Sequence, residues 1–153
     1  KYLVKIGVKK FKVASRTCLL KDLYSLETLE TKASTKKPMI ISMGMGGDEK
    51  KIKKIFLKNK VIFCYCISDY PLKFNKINWK KAISYDGFSD HTMGIDAPIL
   101  FATLKKQKMS KEIIIEKHVK LENSKGPDAS TSIDTKQLSD LICYIRIIEK
   151  ANY

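Results

Sequence analysis

A chain of 153 residues, 44% of them apolar, is long enough for one domain with a sizeable core. It has no apolar run of 18 or more residues, which excludes a transmembrane helix of ordinary length, and its start shows no signal-peptide pattern. The formal charge is +14, yet of the 30 basic residues only Arg16 and Arg146 are arginine. Arginine is the residue suited to bidentate phosphate and guanine contacts, so the lysine excess reads as a solvated surface rather than a nucleic-acid interface.

In chain order, five short runs rich in β-branched residues predict buried strands: Phe11–Ser15, Met39–Ser42, Val61–Cys66, Ile83–Phe88 and Ile113–His118. Their continuous apolar character suits a parallel sheet covered on both faces. Helical patterns lie between them. Leu19, Leu23, Leu26 and Leu29 form one stripe, and Ile52, Ile55 and Phe56 a second, opened by Asp48-Glu49 at the positive end of the helix dipole. Residues Trp79–Ala82 predict a shorter helix. Another begins near Asp96, with Pro98 tolerated in its first turn. The last follows Asp134-Thr135-Lys136-Gln137, which has the form of a capping box, and places Leu138, Leu141, Ile142, Ile145 and Ile148 on one face. Strand–helix alternation of this kind predicts an α/β fold, either an open doubly wound sheet or a barrel, with no second domain.

In such folds ligands bind at the carboxyl ends of the strands. Those ends carry Lys12 and Ser15, then Ser42 with Gly44, Gly46 and Gly47, then Ser68, Asp69 and Tyr70, then Ser89 and His91, and finally Glu116 and His118. Lys12 with Ser15 and Ser89 offers one cation and two hydroxyls to a phosphate or carboxylate. His91 and His118, the only histidines, sit at successive strand ends, where two neutral imidazoles are able to share a divalent metal. The glycines after Ser42 read as a turn into the following helix, and Gly126-Pro127-Asp128 as a turn that brings Asp128 near the mouth of the strands. Cys18, Cys64, Cys66 and Cys143 have no zinc-ligand spacing and read as buried free thiols of a reducing cytoplasm.

Six segments occur in a set order: Phe11-Lys12-Val13-Ala14-Ser15-Arg16, Lys37-Pro38-Met39-Ile40-Ile41-Ser42 with Gly44-Met45, Cys66-Ile67-Ser68-Asp69-Tyr70-Pro71, Gly87-Phe88-Ser89-Asp90-His91-Thr92-Met93-Gly94, Ile115-Glu116-Lys117-His118 and Gly126-Pro127-Asp128. Together they resemble the sialic acid synthases, a family that includes N-acetylneuraminate synthase and its legionaminic and pseudaminic acid relatives. The resemblance implies a (β/α)8 TIM barrel, of which residues 1–153 would cover about strands 4 to 8. It also implies condensation of phosphoenolpyruvate with an N-acylated aminohexose, such as N-acetylmannosamine, to a nine-carbon 2-keto sugar acid with release of phosphate. It implies a divalent metal, Mn2+ or Mg2+, held by His91 and His118. Lys12, Ser15, Ser68 and Ser89 would hold phosphoenolpyruvate, with Lys12, His91 and His118 as the catalytic groups, while Tyr70 and Asp128 would contact the sugar. A cytoplasmic homodimer with no membrane partner is the implied setting.

Three positions depart from the family's pattern: Thr17 for an acidic residue, Met43 for a threonine and Tyr65 for a histidine. The family's first three βα units and its C-terminal antifreeze-like domain have no counterpart here. The chain starts at Lys1 rather than Met, as expected of a fragment, and is expected to be inactive and poorly soluble by itself. A barrel remnant without catalysis is the alternative reading, ahead of a basic nucleic-acid-binding module.

Overall fold

The computed structural model describes residues 2–107 and 112–151. Five strands form one sheet in the order β1 (Phe11–Val13), β2 (Met39–Ser42), β3 (Val61–Cys66), β4 (Gly87–Asp90) and β5 (Ile114–Lys117). The β1–β2, β2–β3 and β4–β5 pairs are parallel, as continuous apolar strands linked by helices require. The chain falls into two compact units, Lys1–Cys64 and Tyr65–Tyr153, the division lying within β3.

In the first unit, β1 pairs Phe11 with Met39, and β2 pairs Met39 with Val61. Val13, Leu29, Met39, Ile41, Ile52, Phe56 and Cys18 close its core. Besides a short helix α1 (Tyr2–Lys5), the unit holds α2 (Leu23–Ala33) and α3 (Glu49–Ile55). Both longer helices start where a carboxylate caps them: Asp22 accepts from Ser25 N at 2.6 Å, and Asp48 from Lys50 N and Lys51 N. The cap at Asp22 corrects the expected leucine stripe. Leu19 belongs to a separate 3-10 turn, Thr17–Leu19, closed by Leu20 at φ 53°; Leu23 is solvent-exposed, and α2 buries Ser25 and Leu29 instead. The first strand also ends early, at Val13, because Ala14 and Ser15 accept the backbone bonds that begin that turn.

The second unit packs Tyr65, Leu72, Ile77, Ala82, Phe88, Ala97 and Phe101 around a stacked Phe88–Phe101 pair with ring centroids 5.1 Å apart. Each of these fully buried rings contributes about 1.5–3 kcal/mol through burial. The expected strand Ile83–Phe88 is displaced to Gly87–Asp90: Ile83 caps the short helix α4 (Trp79–Ala82) in the helical region, and the chain turns before Gly87. β-branched composition at Ile83 is overridden by helix termination. The helix α5 (Asp96–Gln107) carries Pro98 in its first turn as anticipated. The capping box of α6 (Thr135–Lys150) is present in full, with Gln137 N donating to Asp134 Oδ1 at 2.7 Å and Asp134 N to Gln137 Oε1 at 3.2 Å. Its predicted apolar face is only partly used, since Leu141 is buried but Ile142 is exposed. Two further expectations need correction. Lys105 and Lys117 are not surface lysines, their side chains being 5% and 3% exposed in ion pairs with Asp86 and Asp90. Cys18, Cys64 and Cys66 are buried free thiols, but Cys143 is exposed.

Candidate functional site

At the carboxyl end of β1, Lys12 Nζ donates to Ser42 Oγ at 2.8 Å, and Ser15 Oγ accepts from Gly44 N at 2.9 Å. The first unit thus brings Lys12, Ser15, Ser42 and the glycine turn together, as the strand-end argument predicts. Lys32 Nζ reaches Lys12 O at 2.8 Å; burial, and then the charge of Lys12, hold Lys32 below the usual lysine range. The turn needs its glycines for backbone reasons. Gly46 sits at φ 80°, and a Cβ on Gly47 would lie 2.7 Å from Cys18 O. Cys18 itself is pushed up to about 11 by burial, partly offset by Lys12 and Lys32.

The second unit gathers the other candidates. His91 and His118 follow β4 and β5 directly, and their ring centroids are 5.4 Å apart. The Tyr70 ring lies over His91 at 4.2 Å and 6.3 Å from His118. His118 Nδ1 is 3.5 Å from Asp128 Oδ2, which places the Gly-Pro-Asp turn beside the imidazoles. His91 is buried, and its Nδ1 lies 2.8 Å from Ile67 O and 3.9 Å from Cys66 Sγ. Burial pulls the His91 pKa down, but the bonds to Cys66 and Ile67 and the nearby Asp90 outweigh it and leave it above the ordinary value. Tyr70, 45% exposed, is raised by partial desolvation and by the charges of Cys66, Asp128 and Glu116, against a hydrogen bond with Ser68. Ser89 Oγ donates to Glu116 Oε2.

Two residues carry structural weight that the sequence reading did not assign. Asp90 and Lys117 are register partners on β4 and β5, one step before the histidines, and form a buried ion pair at 2.7 Å. The signal was present in the text of the two segments. Alternation along a strand puts Ser89 and Glu116 on one face and Asp90 and Lys117 on the other, so opposite charges meet in register.

The donor set can be tested for a divalent metal. In metal-bound histidines the second ring nitrogen usually donates to a carbonyl or carboxylate. Here Ile67 O lies 2.8 Å from Nδ1 of His91 and Asp128 flanks Nδ1 of His118; with the proton on each Nδ1, Nε2 of each ring would carry the lone pair. The pair therefore fits a metal. No group of three or more His, Cys, Asp or Glu side chains is placed to hold an ion among the described residues, so remaining positions would fall to water or substrate oxygen.

The model of the NeuB family matches residues 1–152. The chain belongs to the NeuB family. It is 31% identical to the N,N'-diacetyllegionaminic acid synthase of Campylobacter jejuni, over 97% of this chain and 46% of that protein. It is 34% identical to an uncharacterized protein of Methanocaldococcus jannaschii, over 97% and 44%. The crystal structure of the N-acetylneuraminic acid (sialic acid) synthetase of Leptospira borgpetersenii, in complex with citrate, superposes with a TM-score of 0.78 at 28% identity, covering 97% of this chain and 52% of that one. This NeuB-family chain thus spans about half the length of the relatives it matches. Of its departures from the family pattern, Tyr65 has a clear place: its hydroxyl accepts from Asn78 N at 3.1 Å and its ring stacks on Phe88. Met43 packs, half-buried, against the core of the first unit, and Thr17 opens the 3-10 turn.

Proposed function

We propose that this NeuB-family chain is part of a synthase that condenses phosphoenolpyruvate with an N-acylated aminohexose to a nine-carbon 2-keto sugar acid. The observation that carries the reading is the imidazole pair, His91 and His118, with Tyr70 against it and a hydrogen-bond acceptor on the Nδ1 side of each ring. The names of the relatives agree with it. His91 and His118 are the residues that would hold Mn2+ or Mg2+, and the ion would supply Lewis acidity toward the open-chain aldehyde.

In this reading the enol carbon of phosphoenolpyruvate bonds to the aldehyde carbon, water adds at the carbon bearing the phosphate ester, and carbon–oxygen cleavage releases phosphate. Lys12, with the Ser15 hydroxyl, is assigned to the anionic groups of phosphoenolpyruvate, where a fixed cation stabilises developing charge. Ser68 and Ser89 are assigned to the same substrate. Ser89 Oγ donates to Glu116 Oε2, and in this reading the hydroxyl turns from that carboxylate to donate to the anionic substrate. Tyr70 and Asp128 are assigned to the sugar: the exposed part of the Tyr70 ring offers an apolar face, and Asp128 a carboxylate acceptor for hydroxyls.

The test is Mn2+ affinity of the intact protein, followed by the electron paramagnetic resonance of the free ion. His91→Ala and His118→Ala are each expected to weaken binding by at least about 10-fold. Parent-like affinity in both removes the metal pair, and with it the reading. Phosphate release from phosphoenolpyruvate, across a panel of acylated hexosamines, then identifies the sugar.

A further inference from the structure

We propose that the buried Asp90–Lys117 ion pair is a positioning device that sets the spacing and orientation of His91 and His118; the proposal rests on the metal-pair reading above. Asp90 is fully buried, and its carboxylate is used at both oxygens. Oδ1 accepts from Thr92 N at 2.9 Å, while Oδ2 accepts from Thr92 Oγ1 at 3.1 Å and from Lys117 Nζ at 2.7 Å. Lys117 Nζ also donates to Thr92 O. One ammonium on β5 therefore grips the residues on either side of His91, and the residue that carries it is bonded to His118.

The arrangement fixes both histidine backbones relative to each other. Asp90 and Lys117 are partners in the parallel register, so the following residues, His91 and His118, leave the sheet side by side. Leu72 N adds a bond to His91 O at 2.8 Å, which holds the same peptide from the β3 side within this unit. The imidazoles stand at the strand ends with their centroids 5.4 Å apart. The bonds of this network run to Thr92 and between the two charges rather than to the rings, so Asp90 and Lys117 act as positioning residues.

Stability by itself is a poor account of the pair. Charges removed from water lose hydration, and buried ion pairs exchanged for apolar residues of similar volume often leave a protein as stable or more so. What an apolar pair cannot reproduce is the directed set of bonds from Asp90 and Lys117 to both sides of one peptide. Groups that orient metal ligands commonly change metal affinity by about 10- to 100-fold when removed. That is the size of effect expected here.

The experiment compares Mn2+ binding and thermal unfolding of the intact protein and its variants. Asp90→Asn/Lys117→Met removes both charges together, so no single buried charge is stranded. His91→Ala and His118→Ala are measured alongside as controls. The double variant is expected to retain the parent's melting temperature within a few degrees and to bind Mn2+ about 10- to 100-fold more weakly. Parent-like Mn2+ affinity in a folded double variant overturns the proposal. If that variant does not fold, the apolar exchange Asp90→Leu/Lys117→Met, which also removes both charges, decides: weaker binding at a parent-like melting temperature supports positioning, and unchanged binding overturns it. If neither histidine variant alters binding, the metal-pair reading fails and this proposal with it. If the histidines matter and the pair does not, only the positioning role falls.

Discussion

Residue-scale chemistry separates the four cysteines. Cys18 lies buried with its thiol donating to Ala14 O at 3.6 Å, and burial raises its pKa to about 11, whereas Cys143 is exposed on α6. Since the thiolate is the nucleophile, iodoacetamide at mildly alkaline pH is expected to label Cys143 quickly and Cys18 only after unfolding; mass spectrometry of a labelling time course checks this. The same shift carries a stability consequence. A group whose folded pKa is raised contributes stability that is present below its unfolded value and is lost as pH rises toward the folded one. Melting temperature is therefore expected to fall between about pH 9 and 11 by less in Cys18→Ala than in the parent. Equal slopes in the two proteins would remove Cys18 from that account. Lys12 and the two histidines were legible from the sequence because polar residues inside apolar runs stand out. Lys117 was not, because a lysine gives no sign of burial until its partner is known.

Among the elements, helix boundaries were legible wherever a cap is written in the sequence. Asp48 and Asp134 start α3 and α6 as expected, and the reciprocal bonds of Asp134 with Gln137 satisfy two backbone N–H donors at the start of α6. Asp134→Ala is expected to cost about 1 kcal/mol, visible as a fall of about 2–4 °C in melting temperature, with Asp134→Ser largely restoring it. An unchanged melting temperature in Asp134→Ala would mean that packing rather than capping holds the end of α6. Boundaries failed where local preference and chain path disagree. Ile83 and Tyr85 favour a strand by composition, yet Ile83 closes α4 and its carbonyl lies 3.5 Å from Lys105 Nζ on α5. Leu23 fits a helical stripe, yet it faces solvent because Asp22 sets the helix start and phase.

For the whole molecule, large apolar side chains are exposed in both units, and some of them line grooves. In the first unit a groove of about 380 Å³ is lined by Tyr2, Leu3, Val4, Phe11 and Tyr24 among others. In the second, a groove of about 310 Å³ runs between β5 and α6, past Ile113, Ile115, Leu138 and Ile142. Patches of this kind favour association, and the +14 charge opposes it through repulsion that salt screens. The 153-residue chain is thus expected to self-associate more as NaCl is raised from low levels to about 0.5 M, where the Debye length falls to a few ångströms. Light scattering coupled to gel filtration checks this, and Tyr24→Lys/Ile142→Lys should reduce the effect. A mass independent of salt, in parent and variant alike, would refute it. No helix is long and apolar enough to cross a membrane among the described residues.

The sequence by itself determined the alternation of strands and helices, the two best-capped helix starts and the family, because these depend on local pattern and on motifs in a set order. It also marked His91 and His118, since polar groups at the ends of apolar strands are visible in one dimension. Only the tertiary structure decided which strand ends meet, that Ile67 O and Asp128 flank the Nδ1 sides of the two imidazoles, and that Lys117 is buried against Asp90. The burial of Lys117 against Asp90 depends on parallel register between β4 and β5, a pairing of residues 27 apart that no local preference encodes.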